Sequence, residues 1–366
     1  MTLCVFVLIA SEFMPVSLLT PITRDLGVTE GLAGQGIAIS GALAVLTSLT
    51  LSTLAGKMNR KFLLLGMTAL MAVSGLIIAL ASSYLMYMVG RAMIGVAIGG
   101  FWSMSAATAI RLVPEHQVTR ALATVVAAPL GSYLGATVGW RGAFLCLVPI
   151  AVVAFIWQCI SLPSMGANKR HASRGAVFHL LSRRIVAVGM LACGLFFMGQ
   201  FALFTYVRPF LETVTRVDSS GLSLILLVIG VAGFIGTLVV STFLNRKFYP
   251  TLMAIPGLMA VIAISLMLTG HHVWVVSLLL GLWGMLATSA PTGWWTWIAR
   301  TLPDNAEAGG GLMVAVIQLS IALGSTAGGI VFDHLGWQST FAMSSMLLLC
   351  AGVLTFVTAR QKAGAF

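Results

Sequence analysis

The chain has 366 residues, 59% of them hydrophobic and 8% charged, with a formal net charge of +11 and a mean hydropathy of +1.04. Soluble domains carry about 25% charged residues, so a soluble enzyme or binding module is excluded. The basic excess would suit nucleic acid, but it is scattered through short polar breaks between long apolar runs and belongs to membrane edges instead.

A bilayer core about 30 Å thick needs roughly 20 apolar residues per helical span, and the chain supplies twelve such runs. Span one, 2–22, follows Met1 directly, with no basic leader and no small-residue cleavage site, so it is expected to be retained. It carries Glu12 at mid-length. Span two, 33–55, is followed by Gly56-Lys-Met-Asn59-Arg60-Lys61-Phe62, and span three covers 62–81. Span four, 85–110, holds Arg91 about two turns in, then Phe101, Trp102 and Ser103. Span five, 121–139, contains Pro129, Gly131 and Gly135, and span six covers 143–162. The longest polar stretch, 163–185, reads as a linker between an N-terminal half, 1–162, and a C-terminal half, 186–366. Spans seven to twelve are 186–207 with Gln200, 221–244, 251–269, 273–298 with Trp294 and Trp295, 309–331 with Gln318, and 339–359. Trp297, one turn from Arg300, reads as an interfacial anchor.

Lysine and arginine set the orientation. With the N-terminus inside, fifteen of them fall in inner loops and tail, Lys57, Arg60, Lys61, Arg183 and Arg184 among them. Four fall outside: Arg24, Arg141, Arg208 and Arg216. Both termini are therefore expected in the cytoplasm.

Two motifs recur. Asn59-Arg60-Lys61-Phe62 follows span two and Asn245-Arg246-Lys247-Phe248 follows span eight. Gly139-Trp140-x-x-x-Phe144 follows span five and Gly336-Trp337-x-x-x-Phe341 follows span eleven. Halves repeating in the same orientation imply an axis along the membrane normal. The same echoes expose a gap. Asn59 to Trp140 is 81 residues, whereas Asn245 to Trp337 is 92. The first half is short by about eight to eleven residues before Pro129, so span five is expected to begin near Val118, with Arg120 reaching for the inner headgroups.

Charge inside the membrane is rare and marks function. Glu12 and Arg91 qualify, and their depths differ by only about 6 Å at 1.5 Å per residue. Removing a carboxylate from water disfavours its charged form, so Glu12 could exchange protons under the influence of an Arg91 that approaches and retreats. A fixed ion pair holding two helices together is the alternative. The amides Gln200 and Gln318, far from span ends, suit either a solute cavity or helix–helix hydrogen bonds. The five cysteines lie unpaired in apolar runs and the six histidines lack zinc spacing, so neither metal nor cofactor is expected. An ATP-driven pump would need a phosphate-cradling G-x-x-x-x-G-K-[ST] loop, and none is present.

Several stretches resemble the major facilitator superfamily, in its drug:proton antiporter branch. Arg91-Ala-Met-Ile-Gly95-Val-Ala-Ile-Gly99-Gly100 is similar to the branch's arginine–glycine motif, which implies proton transfer. Ala128-Pro129-Leu-Gly131-Ser-Tyr-Leu-Gly135 is similar to its antiporter motif. Gly56-Lys-Met-Asn59-Arg60-Lys61 resembles a gating loop with asparagine where an acid is usual. Four further stretches resemble bacterial purine ribonucleoside efflux pumps: Glu12-Phe-Met-Pro15, Gly99-Gly-Phe101-Trp102-Ser103, Phe204-Thr-Tyr206-Val-Arg208-Pro209 and Gly293-Trp294-Trp295-Thr-Trp297. The resemblance implies an all-α fold of two six-helix halves in the bacterial inner membrane. It also implies export of a small neutral solute against protons and a cavity involving Phe101, Trp102, Ser103, Gln200, Tyr206, Trp294 and Gln318. Aromatic faces there could stack on a purine. Sugars and amphipathic drugs remain open as cargo, and a monomer is expected.

Overall fold

In the computed structural model the described residues are 2–54, 58–112, 127–162, 180–302 and 306–363. Among them the regular structure is helical. In hydrocarbon a helix satisfies its own backbone polar groups, which is what these apolar runs require.

The first helices are α1 (Thr2–Ser17), α2 (Leu19–Leu26), α3 (Glu30–Leu54), α4 (Arg60–Ala79) and α5 (Tyr84–Leu112). They are followed by α6 (Ala127–Ser161) and α7 (Arg184–Phe204), then a short α8 (Val207–Phe210) that runs into a π-turn at Leu211–Thr215. The chain ends with α9 (Ser219–Arg246), α10 (Phe248–Thr269), α11 (Val273–Thr301) and α12 (Ala306–Ala363). Nine helices of the described residues are long and apolar enough to cross a membrane, ten with the bent pair Phe6–Ser17 and Leu19–Leu26.

That pair is the expected first span, but it is not straight. It turns by 66° at Leu18 and continues to Leu26. Pro15 and Pro21 each withhold a helical N–H around the bend.

Two helices are too long for one crossing. The 58 residues of α12 would reach about 87 Å if straight. Gly336 divides them with φ 81 and ψ 174, and Gly139 divides the 35-residue α6 with φ 75 and ψ 166. Only glycine visits that region freely. The two glycine–tryptophan echoes are therefore the same joint used twice. In each, the phenylalanine five positions on, Phe144 or Phe341, is fully buried. The short loops expected at 140–142 and 332–338 are replaced by these single-residue joints. Of the linker expected at 163–185, residues 163–179 lie outside the described residues, and α7 starts at Arg184.

The other echo is less symmetric. Asn59 caps α4, its side chain accepting from Lys61 N at 3.0 Å. Asn245 and Arg246 instead extend α9 to its last residue.

The apolar core divides by halves. One cluster joins Leu180 through Ala351 with Val16 and Ile37, a second lies wholly within residues 4–162, and a third lies within 10–147 plus Tyr206. The outer surface is also apolar, with Trp274 87% and Leu268 80% exposed. A belt of this kind fits lipid chains rather than water.

Glycine lets helices approach closely, as small residues do in membranes. A methyl on Gly95 or Gly99 of α5 would collide with the Ser40 or Ala44 carbonyl of α3. Gly284 of α11 stands likewise against the Ile229 carbonyl of α9, so the same close pairing recurs in the second half.

Candidate functional site

Pro15 lacks an N–H, so the carbonyl four residues earlier, that of Ser11, loses its helical partner. Arg91 Nη1 from α5 donates to that carbonyl at 2.6 Å. Arg91 Nε donates to the Gly36 carbonyl at 2.9 Å, and Nη2 to Ser40 Oγ at 3.0 Å and the Glu12 carbonyl at 3.4 Å. The guanidinium, fully buried, thus clasps α1 and α3 together. The expected meeting of Arg91 with residue 12 occurs, but at the backbone; among the described residues no ion pair joins the two side chains.

The Glu12 carboxylate turns the other way. Gln318 Nε2, on α12, donates to Glu12 Oε1 at 3.1 Å. Both residues are 5% exposed. The in-membrane acid therefore sits where the two ends of the chain meet, with a neutral amide as partner. Beside it Phe13 stacks on Phe201 of α7 with centroids 5.7 Å apart. The preceding residue, Gln200, keeps its Oε1 buried without a partner.

The aromatic residues are less uniform. Trp102 is half-buried against the second core cluster. Phe101 is fully buried in that cluster. Trp294 is buried in the C-terminal core and packs edge-on against Trp297 at 5.8 Å. Trp297 is fully buried over Gly189; its expected interfacial position is replaced by core packing. Tyr206 is fully buried. Its hydroxyl donates to the Ser325 carbonyl at 2.7 Å, and its ring stacks on Phe332 at 5.2 Å. That hydroxyl occupies the gap left by Gly34 of α3 and Gly329 of α12.

Tyr206 lies at the Asp25–Asp333 end of the bundle, where the halves are closed together. Asp333 of α12 accepts from Thr29 Oγ1 at 2.7 Å and from Gly31 N at 3.0 Å. It therefore caps the start of α3 from the opposite half. Arg208 of α8 donates to the Ser17 carbonyl and to Glu212 Oε1, the latter at 2.8 Å. Ser17 stands four residues before Pro21 and so is orphaned just as Ser11 is. Asp25 pairs with Arg141, and Trp140 Nε1 donates to it at 3.2 Å.

The family model described as Major Facilitator Superfamily matches residues 1–324. The chain belongs to the major facilitator superfamily. The solved structure of the human organic anion transporter MFSD10 (TETRAN) superposes with a TM-score of 0.74. The likeness covers 97% of this chain and 98% of that one at 16% identity, a statement about fold alone. Relatives include the Transcription regulatory protein OpdE of Pseudomonas aeruginosa, 63% identical over 99% of this chain and 93% of its own length. The Purine ribonucleoside efflux pump NepI of Salmonella typhimurium, and that of Salmonella enteritidis, are 39% identical over 98% of this chain and 92% of theirs. The comparison with OpdE extends over 374 residues, eight more than the 366 of this chain, so that relative carries internal residues with no counterpart here. This major facilitator protein is a multi-pass transporter and not an enzyme.

Other expected site residues are only partly placed. Lys61 Nζ reaches the Cys159 carbonyl at 2.8 Å, tying the start of α4 to the end of α6. Gly56, Arg120 and the expected start of span five near Val118 lie outside the described residues. Pro129, Gly131 and Gly135 lie on the α6 backbone before Gly139, and Ser103 lies on α5. Sequence reasoning passed over Gln158, which is buried and bonded to Thr68 Oγ1 at 2.9 Å and Cys4 Sγ at 2.7 Å. An amide this close to the end of a span carried no clear signal. Asp333 was equally silent, because a loop acid reads as solvated until its partner helix is known.

Proposed function

We propose that the chain exports purine ribonucleosides of the inosine and guanosine type from bacterial cells, driven by proton entry. The observation that carries this is the 39% identity, over almost the whole chain, to proteins named purine ribonucleoside efflux pumps. The chemistry of the site agrees with it. Glu12 is a buried acid at the meeting of the two halves, and its partner Gln318 and the buried Gln200 are uncharged groups suited to a neutral, hydrogen-bonding solute. Trp102 offers a ring to the base. The protein works as a monomer in the inner membrane with both termini cytoplasmic, as its basic residues favour. Two six-helix halves, residues 1–162 and 186–366, rock about the central site and expose it to each side in turn.

In proteoliposomes under an imposed pH gradient, Glu12→Gln should lower inosine efflux about tenfold or more while passive exchange persists. A wild-type response to the gradient in that variant would remove Glu12 from the coupling. Counterflow of inosine, arabinose and chloramphenicol separates nucleoside export from efflux of sugars or amphipathic drugs.

A regulatory reading draws on the name of the 63% identical relative. A transporter alters transcription indirectly when its cargo, or a derivative of it, is an effector. Expression that responds to the chain but not to Glu12→Gln would favour a direct regulatory role.

A further inference from the structure

The hydrogen bond from Gln318 to Glu12 spans 306 positions in the chain and closes the space between the two halves at their buried centre. An ionised carboxylate offers about four lone-pair sites, and among the described residues a single neutral amide engages it. Among the described residues the charge acting on Glu12 is that of Arg91. That guanidinium is committed to the carbonyls of Ser11, Gly36 and Glu12 and to Ser40 Oγ. Swinging it to the carboxylate would break those bonds and strand the carbonyl that Pro15 exposes. The exchangeable partner is therefore Gln318. Among the described residues the side chains bonded to the Glu12 carboxylate or to the Arg91 guanidinium are Gln318 and Ser40, both uncharged, and Gln200 Oε1, beside the Phe201 that stacks on Phe13, is a buried acceptor still lacking a donor.

We propose that a solute bearing vicinal hydroxyls, such as the cis-diol of a ribose, inserts between Glu12 and Gln318. This rests on the reading of the chain as a ribonucleoside exporter. The two hydroxyls donate to the two carboxylate oxygens, and one hydroxyl oxygen accepts from Gln318 Nε2. A carboxyl group that carries a proton has lost one of those acceptors, so solute and proton exclude each other. Protonated Glu12 and free solute become ionised Glu12 with bound solute plus a released proton; the carboxyl O–H is the only covalent bond that breaks. Mutual exclusion at one carboxyl is the sign that antiport requires. Gln318 then determines specificity by recognising hydroxyls.

The test uses the purified full-length protein in weakly buffered detergent with a pH-indicator dye. Inosine should release about one proton per molecule bound, by the lone-pair count above. The analogue 2′,3′-dideoxyinosine should bind about ten- to hundredfold more weakly, the usual worth of a hydrogen bond to a charged group, and release none. Gln318→Leu should weaken inosine by a similar factor yet keep the proton release, whereas Glu12→Gln should bind without release. Equal affinity for inosine and the dideoxy analogue in the wild-type protein would overturn the proposal, and that arm depends on no variant folding. If arabinose releases a proton while inosine does not bind at all, diol recognition stands and the nucleoside reading falls. If inosine is bound and exported with no proton released, diol recognition falls and nucleoside export stands.

Discussion

Pro15 and Pro21 each strip a donor from the first span, and an arginine answers each vacancy: Arg91 at the Ser11 carbonyl and Arg208 at the Ser17 carbonyl. Both arginines are at least nine-tenths buried. The planar fork of a guanidinium can hold carbonyls on two helices at once, where an ammonium is a single point of charge. Arg91→Lys should accordingly lose two or more of the four bonds. At about 1.5–3 kcal/mol for each charged hydrogen bond, the cost is about 3–6 kcal/mol of stability. Thermal unfolding of the purified variant, read beside inosine efflux, checks this. A Lys variant with wild-type melting and transport would show that any cation suffices.

At the scale of elements, the joints at Gly139 and Gly336 decide how α6 and α12 are divided into crossings. Alanine at either position would have to adopt φ near +80°, at a cost of about 1–3 kcal/mol. Gly336→Ala should lower the unfolding free energy by about that amount, as denaturant titration of the purified protein can measure; an unchanged midpoint would mean that the backbone relaxes without strain. These joints were legible in the sequence because glycine next to tryptophan recurred at matching places in both halves. The spans were legible too, since hydrocarbon leaves little freedom in where apolar runs stop. The bend at Leu18 was not: prolines announce missing donors but do not say which side chain will replace them. The clasp role of Arg91 was hidden for the same reason, because its partners are backbone carbonyls and those have no letter in the sequence. Gln318 was visible as an odd amide in an apolar run, but its pairing with Glu12, 306 positions away, depends on the arrangement of the halves. The deep burial of Phe101, Tyr206 and Trp294 was not legible, because residue type alone does not say how tightly an aromatic ring is packed.

Across the whole molecule, the spacing of the echoes leads to the expectation that the first half is eight to eleven residues short before Pro129, and OpdE carries at least eight residues with no counterpart in this chain. Inserting about eleven helix-compatible residues after Leu122 would restore roughly three turns to the fifth span. Inosine efflux should then rise several-fold in proteoliposomes matched for protein content; no gain would make the shortfall a neutral difference between halves. A different consequence follows from the closure at the Asp25–Asp333 end. Among the described residues, three groups at that end link one half to the other: Asp333 on Thr29 and Gly31, Thr326 on Gln35, and Arg208 on Ser17. At about 1 kcal/mol apiece they favour the sealed arrangement by about a hundredfold. In the proposed orientation that end faces the periplasm. Only about one idle molecule in a hundred would then expose Glu12 to the external proton reservoir, so an empty transporter wastes little of the membrane's stored gradient and leaves it for cycles that carry cargo.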